Sequence, residues 1–461
     1  MVMANITTVV GASGQTFAVT VNGGQTQLLA QQYQTALSTL HTSGGLESYD
    51  LVAGSNSATG SNPGHGLISQ GGDYSVSGGT TQYISVGSYS ESGQDTLNSA
   101  VSLDVSGSTA SSISVLAGDY AGVTFKAGNQ NGTFVGGVGN NTFNGAGSSG
   151  NWTVATGDGN DTITGTSGNN TISGGVGNNS IVLGSGTNVV RSEGQDTIDG
   201  LTGTDTVTLL GGSSVVTLGS NATVYDTTSH NTVSGGNNSF ITGGSSSTYF
   251  STGAMSTVSG GLNDTISASA DLWQVRGTSN SITASGSLTF LNGTGATTVS
   301  AGTSTLFGAS GLDLLLVGGS ASSTNLFVGG DGNETVSAAS SNGTLHAFAG
   351  KGNETIIGGS SADTLVGGSG SATLTGGSGA ANLFALTKGA AGGDYTITDF
   401  GSAAGNLMAL YQYGLQNNNG LANVLSSATV AGGNTTIALS DSSKITFVGV
   451  SDLNASNFTL S

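Results

Sequence analysis

Gly157-Asp158-Gly159-Asn160-Asp161-Thr162-Ile163 is followed by Gly168-Asn169-Asn170-Thr171-Ile172 and then by Gly177-Asn178-Asn179-Ser180-Ile181. Each copy joins a glycine turn to an acid or asparagine, a hydroxyl residue and one aliphatic residue. Gly159, Gly168 and Gly177 are nine residues apart. A nine-residue period with one inward apolar side chain per repeat is the pattern of a parallel β-roll. Short strands and tight turns wind into stacked coils, and each coil buries only a few side chains.

The same phrase appears upstream as Gly136-Gly137-Val138-Gly139-Asn140-Asn141-Thr142-Phe143. It loosens between 207 and 325, where Gly235-Gly236-Asn237-Asn238-Ser239-Phe240 and Gly260-Gly261-Leu262-Asn263-Asp264-Thr265-Ile266 preserve it. It tightens again at Gly329-Gly330-Asp331-Gly332-Asn333-Glu334-Thr335-Val336 and Gly350-Lys351-Gly352-Asn353-Glu354-Thr355-Ile356, and Glu354, Asp363, Ala372 and Ala381 keep the nine-residue step. Two half-turns make a coil of about 18 residues, so residues 131–390 hold about 14 coils. The expected fold is all-β, a parallel β-roll or β-solenoid. Phe143, Ile163, Ile172, Ile181, Ile198, Val207, Ile266, Val336 and Ile356 should point inward.

Composition agrees. The 461 residues include 82 Gly and one Pro (Pro63), with six Lys plus Arg against 25 Asp plus Glu, for a net charge of -19. Such low charge density accompanies disorder in many chains, but 35% of the residues here are hydrophobic and they recur regularly. Six scattered cations cannot neutralise a phosphate backbone or grip an anionic membrane, so nucleic acid and lipid surfaces are excluded as partners. Divalent cations suit the acidic balance. There is no cysteine, so neither disulfides nor thiolate ligands form. No apolar run approaches the roughly 18 residues that span a bilayer. Met1 to Thr7 carry no cationic region or apolar stretch, so no cleaved secretory signal is expected.

Four regions are expected. Residues 1–45 form a cap or docking segment, with strands at Asn5 to Val10 and Thr16 to Val21 joined by Gly11-Ala12-Ser13-Gly14. A helix follows from Gln25 to His41, on which Leu29, Tyr33, Ala36 and Leu40 have helical spacing. Residues 46–130 read as irregular coils, with strand-like Tyr83-Ile84-Ser85-Val86, Ile113-Ser114-Val115-Leu116 and Gly122-Val123-Thr124-Phe125. Residues 131–390 form the regular roll, and 391–461 a C-terminal β cap.

The repeats resemble the RTX, or haemolysin-type calcium-binding, nonapeptide family, whose pattern is G-G-x-G-x-D-x-U-x with U apolar. The resemblance implies that sixth-position acids and turn carbonyls hold calcium between coils on one side of the roll. A hard divalent cation takes six or more oxygens. The sixth position falls on Asp161, Asp196, Asp205, Asp264, Glu334, Glu354 and Asp363, while Asp158 and Asp331 occupy the third. At a uniform 18-residue step Asp161 would face the neutral Asn179, which brings only a carbonyl oxygen, and Asp363 would face Ala381. Glu334 and Glu354 are 20 apart, a two-residue insertion. A few calcium ions are therefore expected rather than one per turn. Asn141 and Asn170 can supply carbonyl oxygens or stack in ladders.

Asp394-Tyr395-Thr396-Ile397-Thr398-Asp399-Phe400 and Asn406-Leu407-Met408-Ala409-Leu410 resemble the segment that closes such rolls. Lys444 to Val450 and Asp452 to Phe458 resemble the uncleaved export region of the family. That resemblance implies type I secretion without an N-terminal signal peptide and an extracellular or cell-surface location.

Enzymatic motifs are weak. Gly145-Ala146-Gly147-Ser148-Ser149-Gly150 spells a dinucleotide fingerprint but leads into strand-like Asn151-Trp152-Thr153-Val154 instead of a helix. His41, His65, His230 and His346 are far apart and lack the H-E-x-x-H spacing of a zinc protease. Glu47 and Asp50 near Tyr49, and Asp271 near Trp273, are the nearest approach to carboxylates beside a sugar platform. Lys126, Arg191, Arg276 and Lys351 are too sparse for a lyase cleft. The functional expectation is a secreted, non-catalytic structural protein of a surface layer, filament or biofilm matrix, whose partner is itself. The alternative is an adhesin binding surface or matrix polysaccharide, followed by a polysaccharide lyase or epimerase. Threonine arrays suited to ice look broken, since Thr162 and Thr171 are followed by Ser180.

Overall fold

The computed structural model describes residues 5–460 other than 12, 13, 22, 62 and 404, so the Ala12-Ser13 part of the first expected turn lies outside the described residues. The chain is an all-β parallel solenoid of about 19 turns with 7% helix. It divides into two compact units, Met1–Ser239 and Phe240–Ser461.

In the first unit, successive strands alternate between two parallel ladders. One starts with Glu47–Asp50, Gly64–Ile68, Thr81–Val86, Ser112–Ala117 and Asn131–Val135, and continues through Trp152–Ala155, Thr171–Gly175 and Thr187–Ser192. The other starts with Gly54–Ser57, Gly72–Gly78, Val101–Ser108 and Val123–Lys126, and continues through Thr142–Asn144, Thr162–Thr164, Ser180–Val182 and Thr197–Gly200. Each nine-residue phrase is therefore half a coil. Alternate side chains of a strand point to opposite faces, which puts the lone aliphatic residue of each phrase inside. Phe143, Ile163, Ile172, Ile181, Ile198 and Val207 are all buried here, and Ile266, Val336 and Ile356 are buried in the second unit.

Turn glycines have a steric reason as well as a conformational one. Gly175 and Gly177 have φ of 71° and 125°, where L side chains are strained. A Cβ there would also lie 1.8 Å from the carbonyl oxygens of Gly157 and Gly159 in the preceding coil. Backbone stacks directly on backbone at the corners, which leaves no room for a side chain.

A uniform 18-residue coil is not observed. Thr142 pairs with Thr162, Thr162 with Ser180 and Ser180 with Thr197, while in the second unit Leu272 pairs with Leu288. These steps are 20, 18, 17 and 16 residues. A one-residue slip along a whole strand would turn its apolar set outward; insertions and deletions are absorbed in the turns and in local bulges, as between Ser173 and Gly175 and between Leu315 and Val317.

The interior of the first unit contains an aromatic stack of Phe125, Phe134, Phe143 and Trp152, with ring centroids 5.0 to 5.9 Å apart. Truncating a fully buried aromatic leaves a cavity and costs about 3–5 kcal/mol. Phe125→Ala should therefore lower the thermal midpoint of the first unit by several degrees. A scanning-calorimetry midpoint equal to the parent's would contradict this packing.

The N-terminal strands Asn5–Val10 and Thr16–Val21 pair antiparallel, and Ser88–Tyr89 joins them. The helix α1, Gln25–Thr42, follows. This cap lies over the flank of the early coils: Phe17, Val19, Val21, Ala30, Tyr33 and Leu37 pack with Leu67, Leu116 and Val135 of the first ladder. The helix face differs from the expected Leu29/Tyr33/Ala36/Leu40 set. Its buried residues are Thr26, Ala30, Tyr33 and Leu37, with Leu29 half-buried beside them. Thr26 and Ala30 are small enough to let the helix lie close to a sheet.

In the second unit, Phe240–Ser245, Ser256–Leu262 and Leu272–Val275 start one ladder, and Thr248–Ser251 and Thr265–Ala268 the other. Ser281–Gly318 is one extended run that serves successive coils. Toward the C-terminus Leu383–Thr387 pairs with Leu407–Tyr411, and that strand with Phe458–Leu460, all parallel. On the other ladder Asp394–Ile397 pairs with Lys444–Phe447, which the antiparallel hairpin Thr429–Ala431/Asn434–Ala438 closes. Asp399 accepts hydrogen bonds from Gly376 N (2.8 Å) and Gly377 N (2.9 Å). Phe400 packs between Phe384 and Phe447.

Candidate metal centre

The sixth-position side chains lie inside the coils. Asp161, Asn179, Asp196, Asp205, Asp264, Glu334, Glu354 and Asp363 are each about 1–2% exposed. The turn brings the chain around a corner, and the residue just before each strand points inward below it.

In the first unit these residues form a ladder of hydrogen bonds from backbone to side chain. Asn141 N donates to Asp161 Oδ1 (2.6 Å), Asp161 N to Asn179 Oδ1 (2.9 Å) and Asn179 N to Asp196 Oδ1 (3.1 Å). The series continues with Asp196 N to Ser214 Oγ (3.1 Å) and Ser214 N to Asn231 Oδ1 (2.8 Å). A second inner ladder runs from Asn170 N to Asn188 Oδ1 (3.1 Å) and from Asn188 Nδ2 to Asp205 Oδ1 (2.8 Å). An outer ladder follows the exposed turns: Asn160 N donates to Asn140 Oδ1 (2.9 Å) and Asn178 N to Asn160 Oδ1 (2.8 Å). The inner ladders satisfy N–H groups at the strand entries that would otherwise be buried without partners.

The carboxylates differ in what remains for a cation. Asp196 spends Oδ1 on Asn179 and Oδ2 on Ser192 Oγ (2.6 Å). Asp363 spends Oδ1 on Leu345 N (2.7 Å) and Oδ2 on Gly359 N (2.6 Å). Asp264 accepts from Ser247 N (2.8 Å). Asp161 Oδ2, Glu334 Oε1 and Glu354 Oε2 are buried and accept no hydrogen bond.

Glu334 and Glu354 fit a divalent cation best. Thr335 pairs with Thr355 and Val336 with Ile356, so the 20-residue step that looked like a break is one coil, and the glutamates stack. Asp363 likewise stacks on Asn382 and not Ala381: its N–H donates to Asn382 Oδ1 (2.8 Å). Around the glutamates, Gly330 N donates to Glu334 Oε2 (3.3 Å) and Gly352 N to Glu354 Oε1 (2.9 Å). Two carboxylates with two unused oxygens supply part of the six or more oxygens calcium takes; among the described residues no cluster of three or more acidic or histidine side chains completes the set. Glu334 and Glu354 would hold an ion in the second unit, and Asp161 would contribute to a separate one in the first; the positive charge of each ion would offset the desolvation cost its carboxylates meet.

Burial raises the pKa of Asp161 to about 7. It also raises Asp196, Asp205, Glu334 and Asp363, and Glu354, where the charge of Glu334 adds to the rise. The third-position acids lie elsewhere. Asp331 is exposed and paired with Lys351 (2.9 Å), and such a pair contributes little to stability. Asp158 lines a hollow with Gly24, Gln25 and Glu193 at the start of α1. Asn188, Ser214, Asn231 and Asn382 belong to the ladders although nothing in the sequence pattern marked them, and Asn406 of the closing segment accepts from Asn382 N (2.7 Å). Their only signal was strand register.

The sugar-site candidates are engaged structurally. Asp50 accepts from Tyr89 Oη, Tyr49 Oη bonds Thr81 Oγ1, and Asp271 accepts from Ser287 N (2.8 Å). His65 is buried between Ser48 and Ser85, and burial lowers its pKa to about 3.

Replacing both glutamates (E334Q/E354Q) removes buried charge without changing shape. The double variant should be more stable than the parent without calcium at neutral pH and should lose most of the calcium-dependent rise in Tm of the second unit. An undiminished calcium response would move the site elsewhere.

No curated protein and no solved structure matches the chain. The family model for the RTX calcium-binding nonapeptide repeat matches it in four copies, over residues 156–190, 192–216 and 348–381. These segments contain Asp158, Asp161, Asn179, Asp196, Asp205, Glu354 and Asp363. Proteins with such repeats are typically secreted, and among the described residues no helix is long and apolar enough to cross a membrane. The solenoid carries RTX nonapeptide repeats, which are calcium-binding motifs.

Proposed function

We propose that this chain is an extracellular, non-catalytic scaffold that binds a few calcium ions and assembles with copies of itself into a surface layer, filament or biofilm matrix. The observation that carries the reading is how the chain is spent. From Glu47 to Leu460 nearly all its strands are coil walls, the exceptions being Ser88–Tyr89 in the cap and the closing hairpin, and outward columns of hydroxyl residues run along them. Thr142, Thr162, Ser180 and Thr197 stack in one column. Thr335, Thr355, Thr373, Thr396 and Thr446 stack in another. Such faces are weakly charged and rich in hydrogen-bonding groups, so like copies can approach at physiological ionic strength, where charges farther apart than about 8 Å are screened.

Electron microscopy at high protein concentration tests this. Ordered filaments or sheets in millimolar calcium, dispersed by chelator, are expected. A second reading, an adhesin for surface or matrix polysaccharide, draws on exposed aromatics. Phe240 and Trp273 lie in one outward column with Thr257 between them, and Trp273 is 53% exposed. Isolated particles that bind glycans would favour it, and polysaccharide turnover would favour a lyase or epimerase.

A further inference from the structure

The coil ladders of the two units stop in different ways. In the first unit, Glu47–Asp50 pairs only with Gly64–Ile68, and Gly54–Ser57 only with Gly72–Gly78, among the described residues. Their backbone bonds run toward the following coil: Glu47 N donates to Pro63 O (3.2 Å) and Leu51 N to Leu67 O (2.8 Å). The edge that a preceding coil would occupy is unpaired. Beside it, Glu47, Tyr49, Leu51, Asn56, Ser57 and Thr59 line an open hollow, and Val52 is 66% exposed. The helix-containing cap lies over the flank of the early coils, where Tyr89 bonds Asp50, and none of its strands pairs with this edge among the described residues.

In the second unit the antiparallel hairpin closes one ladder. The other ends at Phe458–Leu460, which pairs in parallel with Leu407–Tyr411 and with no other strand among the described residues. Its unused edge is the one a following coil would occupy.

We propose that the C-terminal strand Phe458–Leu460 of one copy pairs in parallel with a leading strand, Glu47–Asp50 or Gly54–Ser57, of the next. This rests on the reading that the chain assembles with itself, and it names the interface. A second copy is the occupant because the two edges are opposite halves of the same junction. Each ladder strand between them uses one edge for the coil before and one for the coil after; the leading strands lack the first and Phe458–Leu460 lacks the second. Pairing a copy's trailing edge with another's leading edge repeats the parallel sense and twist found throughout the ladders. Two leading edges could meet only antiparallel. Unpaired, uncovered strand edges are templates for added strands, and a head-to-tail contact that does not close on itself extends without limit.

The chain has no cysteine, so engineered cysteines report contacts without background. Thr459 and Ser55 are exposed and face outward, as does the exposed Asp50 on the other leading strand. Paired residues on adjacent strands have Cα atoms about 4.8 Å apart, within the range a disulfide bridges. Thr459→Cys protein is mixed with Ser55→Cys protein and, separately, with Asp50→Cys protein. Each mixture is oxidised in millimolar calcium, and the unmodified protein is imaged by electron microscopy alongside. The expected result is a mixed disulfide dimer in one of the two mixtures, several-fold above the homodimer that either variant forms alone. T459C homodimers equal in yield to the mixed product would overturn the head-to-tail junction. Ordered assemblies of the unmodified protein without any mixed disulfide would also overturn it while leaving self-assembly standing. Neither disulfides nor assemblies would remove both.

Discussion

Ile172→Asp should abolish the cooperative melt of the coils around residues 150–192. Ile172 is 1% exposed and sits between Val154 of the preceding coil and Val190 of the following one. An aspartate there faces apolar side chains above and below, and no cation is among its ladder neighbours. Burying an unpaired charge costs several kcal/mol even after the group neutralises itself by taking up a proton. Total stability of a domain is commonly only about 5–15 kcal/mol. In a solenoid each coil leans on its neighbours, so the lesion should spread to adjacent coils before it reaches distant ones. Hydrogen exchange should show lost protection centred on Thr171–Gly175, Trp152–Ala155 and Thr187–Ser192. Ile172→Val, which removes one methylene, should cost only about 0.5–1.5 kcal/mol. The contrast separates a buried site from a merely sensitive one. A parent-like melt for Ile172→Asp would mean the side chain faces outward and the register of the ladder is wrong.

Acid should stabilise the calcium-free protein, and calcium should remove that dependence. Burial raises Asp161 to about 7 and also raises Asp196, Asp205, Glu334, Glu354 and Asp363. A carboxyl raised in the folded state holds its proton where the unfolded chain has released it. Between the ordinary carboxylate range near pH 4 and the raised values, the native state therefore binds more protons, and stability falls as pH rises. A tenfold difference in proton affinity between the folded and unfolded chain corresponds to about 1.4 kcal/mol. For Asp161 the loss between about pH 4 and 7 is on the order of a few kcal/mol, with smaller losses from the others. Denaturant unfolding in chelator should give a higher midpoint at pH 5 than at pH 7.5, opposite to a protein held together by ionised carboxylates. Calcium bound only to the native state adds stability in proportion to the logarithm of its concentration, and it favours the ionised acids. In millimolar calcium the midpoint at pH 7.5 should recover to at least its value at pH 5. Stability that rises with pH in chelator would mean the inner acids are ionised in the folded coils, with the N–H donors of the ladders outweighing burial.

The ladders explain how a chain with few complete calcium sites remains regular. Asn141, Asn170, Asn179, Asn188 and Asn231 bring the same short carbonyl arm as aspartate without the charge. Neutral amide ladders hold much of the first unit, and the buried acid oxygens that accept no hydrogen bond include those of Asp161, Glu334 and Glu354. The two kinds of coil should differ in calcium dependence even though their backbones are alike.

By itself the sequence determined the class of fold, the inward residues and the chemistry of the turns. The reason is that a nine-residue repeat writes its structure locally: glycine where backbone stacks on backbone, one apolar residue where the strand faces inward, and an acid or asparagine just before it. The N-terminal strands and the helix were legible for the same reason, from alternation and helical spacing. The face by which α1 packs was not, because Thr26 and Ala30 are chosen by the shape of the sheet they meet. Nor was the pairing of site residues. Glu334 with Glu354, and Asp363 with Asn382, depend on how many residues each turn absorbs, and only the hydrogen-bonded register of neighbouring strands fixes that number. Thr162 and Thr171, adjacent repeats in sequence, lie on opposite walls, whereas Thr142, Thr162 and Ser180 stack, because consecutive strands alternate between ladders. Which edges are left unpaired is likewise a property of the closed set of strand pairings, and no local pattern at Glu47–Asp50 or Phe458–Leu460 distinguishes those strands from the ones enclosed between neighbours.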